Sequence, residues 1–318
     1  MANIHDIARL AGVSVSTVSR VLNHNPYVSE AKRVAVQRVI DELDYTPNRL
    51  AVDLIRQETR TIGVIMPYNN NQAFDQLLHG VLNRSVERDY SVVVLPTKYD
   101  RDKELHCLDR LKNKQLDGII ITSRSNDWKA ITPYTKYGAI VACEHTDHPD
   151  IGCAYMDRYA SFIDAFQLLK SKGHSRVAFT TARGEESNST KLIIKAYHQT
   201  FGDLSPAYHI TDCYSMDDGE RAARLLLDAD PDHRPTAIYA NGDEVAAGMY
   251  RYARNIGLRV PEELAIIGQE NQPVGIGLQL STVDHQLVHV GEQAFDLLIG
   301  KSKEKVEVPY RIITRQST

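Results

Sequence analysis

Residues 4–23, IHDIARLAGVSVSTVSRVLN, constrain this chain more than any other stretch. They read as two short helices meeting at a tight turn. Ile7, Ala11, Val13, Val18 and Val21 fall where such a pair needs apolar contacts, and Ala8 is small where the helices would cross. Gly12 sits where the turn wants a positive φ. Ser14 can cap the second helix by accepting from a backbone N–H that otherwise lacks a partner. That helix would present Val15, Ser16, Thr17, Ser19 and Arg20 outward. Hydroxyls there can reach phosphates, and an arginine can grip a guanine edge in two places, so the face suits a DNA major groove. The competing reading is an ordinary helical hairpin with a serine-rich surface. The number of matched positions at fixed spacing favours a DNA-reading head.

After the motif, the loop HNPY leads to a third helical pattern over 30–43, with Ser29 as its cap. Val34, Val36, Val39, Ile40 and Leu43 are its expected buried face, closing a three-helix headpiece. Tyr45 and Pro47 end it, because proline disfavours helix at the residue before it. Residues 48–55, NRLAVDLI, form a helical pattern barely two turns long, which is marginal alone in water. From Thr61 the pattern changes to short apolar strands alternating with amphipathic helices. Strands are expected at 62–66, 92–95, 118–122 and 140–143, and again at 177–181, 237–240 and 264–267. Helices are expected at 74–88, 103–113, 159–171, 222–228 and 244–255. Such alternation implies parallel sheets with helices on both faces, and a span of this length suits two subdomains. The expected organisation is therefore a small all-α helix-turn-helix headpiece (1–56, with the motif at 4–23 and the short helix at 48–55), a linker (57–61), and an α/β core of two doubly wound parallel-sheet subdomains (62–318). No leucine heptad follows 308–313, so a tetramer is not expected.

The net charge of −4 excludes a uniformly basic nucleic-acid coat. Residues 1–60 carry eight Lys/Arg against seven acids, whereas the remainder carries 29 against 34. An acidic body keeps the chain off bulk DNA and leaves the approach to the head. One head offers few phosphate contacts, which argues for binding as a dimer. Cys107, Cys143, Cys153 and Cys213 show no CxxC spacing and read as small buried residues of a reducing cytosol. No secretory leader and no apolar run of membrane length is visible, so a cytoplasmic location without membrane association is expected.

GVSVSTVSRVLN, followed by VSEAKRVAVQRVIDELDYTPNRLAVDL, resembles the signature of the lac repressor/gal repressor family. The likeness runs through the chain: IGVIMP after a short linker, GH before a strand at 173–179, and DEVAAG at 243–248. Within the family the chain is most similar to the catabolite control proteins of Gram-positive bacteria. The resemblance implies a transcriptional regulator, a repressor in carbon catabolite control, that binds a palindromic double-stranded operator as a homodimer. It implies DNA contacts from Asn3, Ser14, Val15, Ser16, Thr17, Ser19, Arg20, Asn23, Tyr27, Ser29, Asn48, Ala51 and Leu54. Leu54 would be the wedge that the short helix drives into a minor-groove base step, with Ala51 the small residue permitting close approach. Asp53 departs from the family, which usually has a neutral or basic residue there.

The resemblance also implies a core of two lobes around an effector cleft, as in periplasmic sugar-binding proteins. Ligands of open α/β sheets bind beyond the carboxyl ends of strands. Those ends carry Tyr68 with Asn69, Glu144, Asn241 with Asp243, and Glu270 with Asn271. Asp243 is equally explained as a helix N-cap. The family's effector-anchoring arginine is replaced by Ile193, and the amide before the DEVAAG aspartate by Gly242. A cleft with acids but without charged donors should bind sugars weakly and repel sugar phosphates. Regulation is then expected from a protein partner or from abundance. The implied partner is the serine-phosphorylated phosphocarrier protein of the sugar phosphotransferase system, docking on the amino-terminal lobe near a helix at 290–303. There Asp296 stands where a basic residue is expected, although Lys301, Lys303 and Lys305 follow. The alternative is a sugar-responsive repressor of a single catabolic operon.

Two other functions fit less well. Glu144, His145, Asp147 and His148 resemble a metal cluster but lie in an expected loop without a second ligand pair. A cleft enzyme with a DNA-binding head would need a nucleophile or an acid–base pair, and neither GxSxG nor GxxxxGK[ST] occurs. No cofactor, metal or catalytic residue is expected. A DNA-free sugar-binding protein is opposed by the complete headpiece.

Overall fold

The computed structural model describes residues 3–22, 25–45, 58–69, 71–228 and 230–318. The expected short helix at 48–55, with Asn48, Ala51, Asp53 and Leu54, lies outside them, as does Asn23. The chain divides into two compact units, Met1–Thr59 and Arg60–Thr318.

The first unit holds α1 (Ile4–Leu10), α2 (Val15–Leu22) and α3 (Glu30–Glu42). Asn3 caps α1 reciprocally: its side chain accepts from the His5 and Asp6 amides, and the Asp6 carboxylate accepts from the Asn3 amide. Gly12 has φ +65°, and nothing lies within 4 Å of a Cβ there, so conformation rather than space calls for glycine. Ile7, Ala8, Val18, Val21, Val36 and Val39 form the buried core. Val34, expected inside, is 59% exposed. Val36, Val39, Ile40 and Leu43 fall at i, i+3, i+4 and i+7 on one helix face, and Val34 lies about 200° of helical rotation from Val36. Ser29 occupies the N-cap of α3 but makes no side-chain cap bond. Its carbonyl instead accepts from the Lys32 and Arg33 amides, each at 3.1 Å.

The second unit opens with β1 (Thr61–Met66), α4 (Gln72–Glu87), β2 (Ser91–Pro96), α5 (Arg101–Lys112), β3 (Gly118–Ile121), α6 (Trp128–Ile131), β4 (Ala139–Ala142) and β5 (Gly152–Tyr155). A second series follows: α7 (Arg158–Ser171), β6 (Val177–Thr180), α8 (Asn188–Phe201), β7 (His209–Ile210), α9 (Met216–Leu227), β8 (Ala237–Tyr239), α10 (Asp243–Asn255), β9 (Ala265–Gln269), α11 (Pro273–Gly277) and β10 (Ser281–Asp284). The chain then returns through α12 (Leu287–Ile299) and β11 (Lys305–Glu307), and ends with β12 (Arg311–Ile313). Two six-stranded sheets result, ordered β11-β5-β4-β3-β1-β2 and β12-β10-β9-β8-β6-β7. The orders are equivalent, so the lobes repeat one topology, except that β11 joins its neighbour parallel and β12 antiparallel. Central strands such as β3 are buried throughout, as strands covered by helices on both faces must be.

Three passages link the lobes: β5 to α7, β10 to α12, and β11 to β12. Hence α12, late in sequence, packs in the amino-terminal lobe, where Leu287, Val290, Ala294 and Phe295 join its core. The expected helix at 222–228 begins earlier, at Met216, because Ser215 and Asp218 form a capping box there. Strands β5, β10 and β11 and helix α8 were not expected from the sequence; the strands are only three or four residues long and lack a decisive period.

Candidate DNA interface and ligand cleft

In the head, α2 turns one face inward through Val18 and Val21 and the other to solvent. Ser14 receives the Thr17 amide at 3.2 Å, the cap expected of it. The Ser14 hydroxyl also lies 2.9 Å from those of Ser16 and Thr17, so three expected contact residues form one hydroxyl cluster at the start of α2. Ser16 and Arg20 are exposed, whereas Thr17 and Ser19 are half-buried. Val15, expected to face outward, packs partly against the headpiece core. Tyr27 is 94% exposed in the loop before α3. That loop is tied down by Arg33, which donates to the Asn25 carbonyl at 3.0 Å, an anchor with no sequence signal.

In the core, the strand ends of both lobes surround a cavity of about 1130 Å³. Tyr68, Glu144, Asn241 and Glu270 line it, as expected; Asp243 does not. Asp243 is fully buried at the start of α10, where its carboxylate accepts from the Gln272 amide at 2.7 Å and the Thr282 hydroxyl at 2.8 Å. Burial pushes its carboxyl up to about 7. Gly268 and Gly275 pack so closely on it that a Cβ on either would fall within 2.4 Å of a carboxylate oxygen. Asp243 is thus a structural tie between α10 and the loop after β9, and its assignment to the effector cleft is corrected. Asn69 and Asn271 also lie off the cavity wall, and the Asn271 side chain accepts from Arg315 at 2.5 Å.

The expectation that the cleft lacks charged donors fails. Arg101, Arg124, Arg158, Arg183 and Lys191 line the cavity beside five acids, Glu144, Asp157, Glu186, Glu270 and Glu307. Arg124 Nε lies 2.7 Å from Glu144 Oε1, an ion pair rather than an aligned hydrogen bond, with the guanidinium 4.3 Å above the Trp128 ring. Burial raises the Glu144 carboxyl, against the pull of Arg124. Glu270 sits at φ +80°, its Oε1 3.0 Å from His285 Nδ1 and 4.0 Å from Arg158. Burial alone would raise its carboxyl, but His285 and Arg158 outweigh that and hold it below the ordinary value. Its other oxygen is buried without a hydrogen-bond partner. Of the acids expected to repel phosphate, Glu144 and Glu270 are therefore each matched by a guanidinium. Arg124 and Arg183 follow expected strands, so the strand-end rule could have found them; Arg158 follows β5, which the sequence did not reveal. Ile193 is buried in the wall, and the donors come from other elements. Asn241 accepts from the Thr180 hydroxyl at 2.7 Å and donates to the Cys213 carbonyl at 2.8 Å, which fixes its amide at the wall.

One further expectation changes. Asp296 on α12 is gripped by Arg84 of α4, with Nη2 2.8 Å from Oδ2 and Nε 3.2 Å from both oxygens, so it is not a lone acid. Lys303 pairs with Asp150 at 2.6 Å, and Lys305 donates to the His148 carbonyl at 2.7 Å. Residues 144–148 lie between β4 and β5, where a loop was expected; Glu144 pairs with Arg124, and His145 meets the Tyr155 ring at 4.7 Å.

A helix-turn-helix head with a polar exposed face, joined in one chain to a two-lobed core around a polar cavity, defines a DNA-binding transcriptional regulator. Residues 3–48 match the model of bacterial regulatory proteins of the lacI family, and residues 59–315 that of periplasmic binding proteins and the sugar binding domain of the LacI family. The chain belongs to the LacI family. It is 43% identical to catabolite control protein B of Bacillus subtilis over 312 residues, covering 98% of each chain. It is 32% identical to catabolite control protein A of Priestia megaterium, covering 99% of this chain and 98% of that one. The fold matches a crystal structure of the lac repressor dimer bound to operator with a TM-score of 0.85 at 23% identity, covering 100% of this chain and 99% of that one. Among the described residues, no helix is long and apolar enough to cross a membrane.

Proposed function

We propose that the chain is a homodimeric repressor in carbon catabolite control that reads a palindromic operator in the cytoplasm, and that it regulates rather than catalyses. The observation that carries this reading is α2: one face packs on the headpiece, and the other offers Ser16, the Ser14–Thr17 hydroxyl cluster and Arg20. We assign DNA contacts to Asn3, Ser14, Val15, Ser16, Thr17, Ser19, Arg20, Tyr27 and Ser29, together with Asn23, Asn48, Ala51 and Leu54. The division into a head (1–56), a linker (57–61) and a regulatory core (62–318) belongs to the same reading. The likeness to catabolite control proteins supports the regulatory role. Dimerisation is supported by Leu82 and Val86, which are 41% and 80% exposed on one face of α4, and by Val94, 38% exposed on the edge strand β2.

The core has two candidate inputs. The cavity has the size and the donor–acceptor lining for a saccharide, and its paired charges permit a phosphorylated one. The α4–α12 face, where Arg84 neutralises Asp296, suits the serine-phosphorylated phosphocarrier protein. The test of the central reading is Arg20→Ala. Affinity for a palindromic operator should fall by about 1–3 kcal/mol, with relaxed preference at one base pair per half-site. Equal loss on specific and random DNA, measured by fluorescence anisotropy, would make Arg20 a phosphate clamp instead.

A further inference from the structure

The rim of the cavity carries a contact that the cavity floor does not require. Four side chains meet there, two from each lobe. Tyr68 follows β1 and Tyr99 follows β2, while Arg183 follows β6 and Tyr214 follows β7. Because the sheets share one strand order, β6 and β7 are the counterparts of β1 and β2, so equivalent corners of the two lobes face each other. The Arg183 guanidinium carbon lies 3.8 Å from the centre of the Tyr99 ring. Tyr68 meets Tyr99 edge-on at 5.5 Å and Tyr214 edge-on at 6.3 Å. Cation–π and edge-to-face aromatic attraction thus cross the mouth of the cleft at two points.

The backbone on both sides is built for this placement. Lys98 and Tyr99 have φ +54° and +58°, two consecutive left-handed residues without a glycine. Such strain persists only where the surroundings over-determine it. Here the Thr97 and Lys98 amides donate to the Met66 and Pro67 carbonyls, and the Tyr99 hydroxyl lies 3.1 Å from that of Ser123. On the opposite lobe, the Arg183 carbonyl accepts from the Thr181 and Thr190 hydroxyls, each at 2.9 Å. The Arg183 side chain is 23% exposed, dry enough for the ring contact to count.

We propose that Arg183, Tyr99, Tyr68 and Tyr214 form a latch that holds the two lobes together across the cleft. A ligand of the cavity then shifts the lobes only by its differential affinity for the latched and unlatched states. The latch itself is independent of the proposed regulatory role; its effect on DNA rests on that role.

Native cysteines report the opening. Cys143 lines the cavity and also joins the core of the amino-terminal lobe; it is 5% exposed, and burial pushes its thiol up to about 12, which makes it a poor nucleophile while the lobes are latched. Cys153, buried in β5, and Cys107, half-buried on α5, do not line the cavity and serve as references. The full chain is treated with N-ethylmaleimide, and modification of each cysteine is followed by peptide mass. Arg183→Ala and Tyr99→Leu should each speed modification of Cys143 about tenfold while Cys153 and Cys107 keep their rates, with Arg183→Lys in between. An unchanged Cys143 rate overturns the latch. So does an equal acceleration at Cys153, which would show a loosened lobe rather than an opened cleft. The same variants are titrated against a palindromic duplex enriched from random DNA by the purified protein. Faster Cys143 modification with a fivefold or larger change in DNA affinity supports both the latch and the regulatory role. Faster modification with unchanged affinity keeps the latch and overturns control of the head by the cleft.

Discussion

Asp243 shows how a residue with the right chemistry in the right sequence context serves packing instead. Its carboxylate receives the Gln272 amide and the Thr282 hydroxyl, and the glycines at 268 and 275 leave no room for a ligand. Asp243→Ala should lower stability by about 1–3 kcal/mol in urea denaturation, because it leaves the Gln272 N–H buried without an acceptor. The pH dependence has a definite sign. With the carboxyl raised from 3.8 to about 7, the folded state holds more protons than the unfolded state between those values. The contribution of Asp243 to stability is then full below pH 4 and declines as pH rises through about 7. Comparing denaturation midpoints from pH 5 to pH 8 in the wild type and in Asp243→Asn checks this: the substitution should flatten the decline, and parallel curves would assign it to other groups.

At the scale of elements, each lobe is clamped by one close helix crossing. A Cβ on Gly80 of α4 would fall 1.9 Å from the Val288 carbonyl oxygen, and one on Gly291 of α12 would fall 2.1 Å from that of Leu77. The carboxyl-terminal lobe repeats the device between α9 and α10, where a Cβ on Gly219 or Gly248 would fall 2.1 or 1.9 Å from the Val245 or Met216 oxygen. Backbone oxygen cannot move aside as a flexible side chain can. Gly248→Ala should therefore destabilise the core by about 1–3 kcal/mol or more through overpacking. Gly242→Ala is the matching control: its φ of 176° is extended, nothing lies within 4 Å of the added Cβ, and thermal denaturation should show little change.

At the scale of the molecule, specific DNA binding depends on how many heads act together. A single small head neutralises few phosphates, and pairing two on a palindrome multiplies affinity without any new contact. The exposed pair Leu82 and Val86 lies i, i+4 on α4, next to the edge strand bearing Val94. Leu82→Asp combined with Val86→Asp should yield a monomer by analytical ultracentrifugation. It should retain its far-ultraviolet circular dichroism and lose operator affinity by on the order of 100-fold. A double variant that sediments as the wild type does would place the dimer contact elsewhere.

The sequence by itself determined the head and the architecture of the core. The spacing of Ile7, Ala8, Gly12, Val18 and Val21 depends only on local helix and turn geometry, and apolar strands recurring between amphipathic helices admit little besides a doubly wound core. Helix faces of the head were legible except at Val15, which turns partly inward, and at Val34, which was misplaced because its apolar character does not reveal its rotation about α3. What only the tertiary structure decided was the partnering of charges. Arg124 with Glu144, Arg158 with Glu270, and Arg84 with Asp296 join residues 20, 112 and 212 positions apart. Separations of that kind carry no period, so a cleft that reads as acidic along the chain is lined in space by acids and guanidinium groups together. The same limit hid the meeting of Tyr99 with Arg183. It joins the two lobes, and a single sequence records such long-range contacts only as isolated residues.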